Sequence, residues 1–186
     1  MKRFAALILA LALCLSLIPA ALADTHLSGE EMTQLTEYSY ELALQYIGDR
    51  EWEGRTRNLK QVSAKFWLPA EVEKLELPQE AIDAGVLARY VSEMLAVQVR
   101  IVRYNEVDMD NYLEIVTDLG FENPRIAPVN GVDFVIYDEP VDEFELCRVA
   151  ATVLPDGQFL EFIYYAVSED VGEQIEGSIA TIRFID

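Results

Sequence analysis

The stretch from Phe159 to Ala166 limits the architecture more than any other part of the chain. It follows Leu154-Pro155-Asp156-Gly157, with proline second and glycine fourth, as in a type I turn closed by a left-handed residue. Gln158 to Val167 therefore returns as the hairpin partner of Phe144 to Leu154. Successive strand side chains point to opposite faces, and here both faces are apolar. Phe159, Ile163 and Tyr165 line one face; Leu160, Phe162, Tyr164 and Ala166 line the other. An antiparallel strand with one wet face would alternate apolar and polar residues, so this sheet needs a cover on both sides.

The rest of the sequence supplies the covers. Ser28 followed three residues later by Glu31 forms a capping box, with Leu27 and Met32 at hydrophobic-staple spacing. Met32, Leu35, Ser39, Leu42 and Tyr46 then recur at steps of three and four up to Gly48, which predicts an N-terminal helix over 24–48. Residues 49–61 are polar and rich in cations and predict an exposed basic loop. Alternation at Val62, Ala64, Phe66 and Leu68 predicts a strand ending at Pro69. Pro69 and Pro78 sit where first helical turns begin, giving short helices over 70–76 and 79–84. From Val86 the apolar residues first fit a helix, yet β-branched Val97, Val99, Ile101 and Val102 favour two strands with a turn near Ser92 and Glu93.

Asp108 caps a helix with the stripe Met109, Tyr112, Leu113, Val116 and Leu119, and Gly120 is placed to close it. Strands follow at Arg125–Val129 and Val132–Tyr137. Ser168 caps a last helix carrying Val171, Ile175, Ile179 and Ile182. The predicted class is α+β: a mainly antiparallel sheet covered by helices on both faces, in one domain over 24–186, with the sheet and its covering helices in 62–186.

Residues 1–23 read as a secretory signal. Lys2 and Arg3 precede an apolar run from Phe4 to Ile18, and Ala21-Leu22-Ala23 sets cleavage after Ala23. Ser16 and Pro19 interrupt the run short of the roughly 20 residues a membrane span needs, so no stable insertion is expected after cleavage. The expected location is secreted or extracytoplasmic. Removing Lys2 and Arg3 takes the net charge from -19 to -21. From Asn105 onward, 19 acidic residues face only Arg125, Arg148 and Arg183, a balance that repels nucleic acid and anionic membranes.

The residue inventory removes most catalytic chemistry. His26, the single imidazole, lies close to the expected mature start, a poor mount for a general base. Cys147 is the only cysteine left after cleavage, and its neighbours Leu146 and Val149 suit a small buried hydrophobe. One histidine and one cysteine 121 positions apart do not build a zinc site, and no cofactor is called for. Asp108, Asp110 and Asn111 resemble the start of an EF-hand loop, but Tyr112 stands where an oxygen ligand belongs, and a helix cap explains Asp108 better. Around Pro140, Asp138, Asp142 and Glu143 are either part of a solvated acidic loop or a weak calcium site. Arg50, Arg55, Arg57 and Lys60 with Trp52 and Trp67 either neutralise the acidic half internally or form an anion or glycan contact.

From about Leu77 to Ile182 the chain is similar to small secreted bacterial domains of unknown function. The residues that carry this are Val129-Asn130-Gly131-Val132 leading into a strand, the Pro155-Asp156-Gly157 hairpin with its aromatic strand, and the closing Ser168 to Ile182 helix. Such domains resemble the PsbP-like α-β-α sandwich. The resemblance implies a fold and brings no functional residues.

With no catalytic constellation, the first expectation is a secreted, non-catalytic binding domain whose partner is a protein or glycan of the cell envelope or exterior. Its candidate contacts are the basic segment and the acidic segment. The alternative is a small extracytoplasmic hydrolase that uses paired carboxylates.

Overall fold

The structure, a computed structural model, describes residues 37–185. The signal segment, His26, the Ser28 and Glu31 capping box, Met32 and Leu35 lie outside the described residues. The first described helix, α1, spans Tyr40–Asp49. Ser39 ahead of it is extended (φ -108°, ψ 146°), and its Oγ accepts the Leu42 amide at 3.3 Å. Tyr38 forms a parallel bridge to Val129. The helix expected over 24–48 is therefore not continuous. Ser39, read as part of its stripe, is a cap, because a short hydroxyl side chain satisfies first-turn N–H groups better than it propagates a helix.

The basic loop expected over 49–61 is also corrected. Strand β1 (Gly54–Leu59) pairs antiparallel with β2 (Ala64–Pro69), and a 3-10 turn at Lys60–Val62 joins them. Residues 54–58 of β1 are exposed or half-buried, so the strand carries no apolar alternation for a sequence reading to detect. The helix expected over 70–76 gives way to a three-residue strand, β3 (Glu73–Leu75), whose side chains are all exposed. Helix α2 (Gln79–Asp83) follows Pro78 as expected. The stretch after it resolves into β4 (Val86–Val91) and β5 (Leu95–Val102), the hairpin read from its β-branched residues.

Helix α3 (Met109–Asp118) is capped by Asp108, whose carboxylate accepts the Asn111 amide at 2.9 Å. Strands β6 (Glu122–Val129), β7 (Val132–Asp138), β8 (Leu146–Val153) and β9 (Phe159–Ala166) form a meander. A 3-10 turn at Glu169–Val171 leads into α4 (Gly172–Ala180), and a two-residue strand, β10 (Arg183–Phe184), ends the fold.

The main sheet has the order β3-β4-β5-β9-β8-β7-β6, with every neighbouring pair antiparallel. The small sheet has the order β1-β2-β10. Both faces of the main sheet are covered, as the doubly apolar β9 requires. On one face Tyr112 and Val116 of α3 pack on Val135, Tyr137, Val149, Phe159 and Ile163. On the other, α1, α4 and β2 pack Tyr46, Ile175, Ile179, Phe66 and Leu68 against Phe134, Leu160, Phe162 and Tyr164. Each fully buried apolar side chain of this size contributes about 1.5–3 kcal/mol. The Ser178 hydroxyl donates to the Trp67 carbonyl at 2.7 Å, and the Trp67 amide donates to Thr181 Oγ1 at 2.8 Å. These bonds tie the small sheet to α4 and fix the wall that borders the site.

Candidate functional site

Strands β6, β7 and β8 and the N-terminal turn of α4 meet around a cleft of about 670 Å³. The segment that joins β7 to β8 makes one wall, with Glu139, Pro140, Asp142 and Phe144; Gly172 and Glu173 of α4 make the other. The Glu139 amide donates to the Cys147 carbonyl at 2.8 Å and the Phe144 amide to the Val141 carbonyl at 3.1 Å, so this acidic segment is folded back on β8.

The floor is a charged network on the sheet face that carries α4. Asp138 and Arg148 are cross-strand partners of β7 and β8. Arg148 Nε donates to Asp138 Oδ1 at 2.6 Å and Nη2 to Oδ2 at 2.8 Å, the bidentate geometry that guanidinium and carboxylate favour. Arg148 Nη1 also donates to Glu176 Oε1 of α4. Glu176 is 1% exposed, and its Oε2 accepts the Tyr38 hydroxyl at 2.8 Å. Arg125 of β6 donates to that hydroxyl at 3.1 Å and lies 3.9 Å from Glu176. Asn123 donates to Asp138 Oδ2 at 3.1 Å.

Burial works against the charge on Arg148, but the hydrogen bonds and charges of Asp138 and Glu176 outweigh it and hold the guanidinium above its ordinary range. Removing one member of such a buried set strands the others, at a cost of roughly 3–5 kcal/mol.

The network decides what the cleft can do chemically. Asp138 and Glu176 converge, but a guanidinium stands between them and takes bonds from both, where an acid and base pair would need its substrate. Cys147 is 3% exposed, and burial, then the charges of Glu139 and Asp138, push its thiol up to about 12, so it is no nucleophile near neutrality. Of the calcium candidates, Asp138 is engaged by Arg148 and Asn123, Asp142 lines the cleft, and Glu143 is not among the lining residues. Among the described residues, no group of three acidic, histidine or cysteine side chains is placed to hold a metal ion.

The basic segment is only partly brought together. Arg50 lies 3.7 Å over the Tyr46 ring and 5.5 Å from the Trp52 ring, and pairs with Glu173 at 2.8 Å. Trp52 stacks on Trp67 with centroids 6.5 Å apart, and Trp67 is buried. Arg55 donates to the Ala70 carbonyl at 3.3 Å. Arg57 donates to the Val72 carbonyl and lies 5.4 Å from the Tyr90 ring. Lys60 is exposed on the 3-10 turn, beyond the far end of β1. Internal acceptors thus occupy donors on all three arginines.

A second charged cluster lies under α3. Glu161 is fully buried and accepts Arg100 Nε at 2.6 Å, the Tyr104 hydroxyl at 2.8 Å and the Tyr112 hydroxyl at 3.0 Å. The Tyr112 and Tyr137 hydroxyls are 3.0 Å apart. Glu161 thus accepts three hydrogen bonds, and none of the residues of this cluster lines the cleft around Arg148. The sequence reading passed over Glu161, Glu176 and Arg148. The signal was present: each is a single charge set in an apolar strand or helix stripe, which a folded chain tolerates only when it is paired.

These features define an α+β protein of the α-β-α sandwich type, with a charged cleft at one edge of its main sheet. The structure is similar to cyanobacterial PsbP (CyanoP) of Synechocystis sp. PCC 6803, with a TM-score of 0.52 and 9% sequence identity, over 71% of this chain and 92% of that one. That likeness shows a PsbP-like fold. The Saccharomyces cerevisiae Ran-binding protein Mog1p aligns with a TM-score of 0.42 and 10% identity, over 73% of this chain and 97% of that one. No protein-family model matches the sequence, and no curated protein matches it. Among the described residues, no helix is long and apolar enough to cross a membrane.

Proposed function

We propose that the chain is a secreted, non-catalytic interaction domain, released after Ala23, whose partner seats a cationic segment in the cleft between the acidic segment and α4. The carrying observation is the charge of that cleft. Its one guanidinium, Arg148, is matched by two buried carboxylates, while Glu122, Glu139 and Asp142 on its lining have no ion pair among the described residues. Unpaired carboxylates around a concave, partly apolar wall attract a cation and let its aliphatic stem pack on Phe144 and Val141. The alternative of a carboxylate hydrolase finds less support, because both buried acids are bound to Arg148.

The test is a titration of the mature chain with hexa-arginine, beside hexa-glutamate and calcium chloride. Hexa-arginine is expected to bind with strong salt dependence, and Glu139→Gln with Asp142→Asn to weaken it about tenfold, a loss of about 1.4 kcal/mol. Arg55→Gln with Arg57→Gln should leave it unchanged. Equal binding of hexa-glutamate, or indifference to the Glu139 and Asp142 pair, would sink the proposal.

A further inference from the structure

Tyr38, just ahead of α1, touches the floor of the cleft. Its backbone is held at the edge of β6 by two hydrogen bonds, from its amide to the Pro128 carbonyl and from the Asn130 amide to its carbonyl, each 2.8 Å. Its ring is fully buried, and its hydroxyl donates to Glu176 Oε2. The other oxygen of the same carboxylate is held by Arg148, the guanidinium at the cleft floor. Asn130, the backbone partner of Tyr38, also donates through its side chain to the Ala180 and Ile182 carbonyls at 3.0 and 2.7 Å, at the far end of α4. One carboxylate therefore serves both Tyr38, at the edge of β6, and the cleft.

We infer that Tyr38 is a latch that couples occupancy of the cleft to the hold on its own backbone at the edge of β6; this rests on the cleft being the binding site. A cation seated beside Arg148 changes how much of the Glu176 charge is left for the Tyr38 hydroxyl, so ligand and latch act on each other through a shared acceptor. The coupling is reciprocal: what tightens or frees Tyr38 changes the cleft, and a ligand in the cleft changes the grip on Tyr38.

The variant is Tyr38→Phe in the full mature chain, which keeps the buried ring and removes the donor. Two readouts by nuclear magnetic resonance decide the matter. Without ligand, loss of the Tyr38 donor leaves Glu176 more charge for Arg148, so exchange of the Arg148 Nη1–H with water should slow about tenfold in the variant; an unchanged rate overturns the latch. With saturating hexa-arginine, which draws on the Glu176 charge and loosens the Tyr38 hydroxyl, the amides of residues 38 and 130 should exchange several-fold faster in the native chain and show no change in the variant. An equal response in both proteins also overturns it. If hexa-arginine fails to bind, the binding proposal falls, and the ligand-free Arg148 rate still decides the coupling.

Discussion

Cys147 and Arg148 are neighbours in β8 with opposite fates, because strand side chains alternate between faces. Arg148 turns to α4 and is matched by two carboxylates; Cys147 turns to the α3 side and packs with Val149 and Ile163. Desolvation favours the neutral thiol there, so Cys147 should resist iodoacetamide in the native protein at pH 8 and react at the rate of a free thiol in 6 M urea. Rapid labelling of the folded chain would mean that β8 opens locally or that the thiol faces solvent. Burial of Cys147 was legible from its apolar neighbours. The role of Arg148 was not, because its acceptors lie 10 and 28 residues away and nothing in a strand sequence names a partner on a distant helix.

At the level of elements, the turns were the most readable features. The Pro155-Asp156-Gly157 turn joins β8 and β9 as the expected hairpin, with Val153 opposite Phe159. Asn130 and Gly131 both take positive φ, 51° and 80°, as a two-residue hairpin turn between β6 and β7 requires. Gly85, between α2 and β4, is under a harder constraint. Its φ is 86°, and a Cβ there would lie 2.3 Å from the Ile101 carbonyl oxygen, beside the irregular register at Val86 and Ala88. Gly85→Ala should therefore cost more than the roughly 1–2 kcal/mol of a left-handed alanine, because backbone has to move as well. Gly131→Ala, with open space around it, should cost only that amount. Urea midpoints compare the two; equal losses would show that strand β5 yields to the methyl group at no cost. Strands β1 and β3 stayed hidden in the sequence for the opposite reason. Both lie at sheet edges and face water, so no buried face imposed a period of two on Gly54–Leu59 or Glu73–Leu75.

For the molecule as a whole, buried hydroxyls and the buried thiol make stability depend on alkaline pH. Burial pushes Tyr38, Tyr104 and Cys147 up to about 12, and it raises Tyr46, Tyr112, Tyr137 and Tyr164 further. Their folded values lie above the unfolded ones, so their contribution is complete below about pH 9 and is lost as pH rises toward 12, where the unfolded chain releases protons that the folded one keeps. A fully desolvated group loses up to about 1.4 kcal/mol per pH unit in that window, and Tyr104, which keeps part of its surface in water, loses less. Denaturation midpoints should be flat from pH 7 to 9 and fall steeply from 9 to 11. A flat profile through pH 11 would mean that these hydroxyls reach water in the native state.

By itself the sequence determined the two-faced sheet, the meander turns and the helix cap at Asp108, since all of these follow from local spacing and composition. Only the tertiary structure decided where the helix after Ser39 begins, that residues 54–59 are a strand, and that Tyr38, Asp138, Arg148 and Glu176 form one network. The physical reason is distance along the chain: Tyr38 and Glu176 are 138 residues apart, and a buried charge finds its partner only when packing removes water from both.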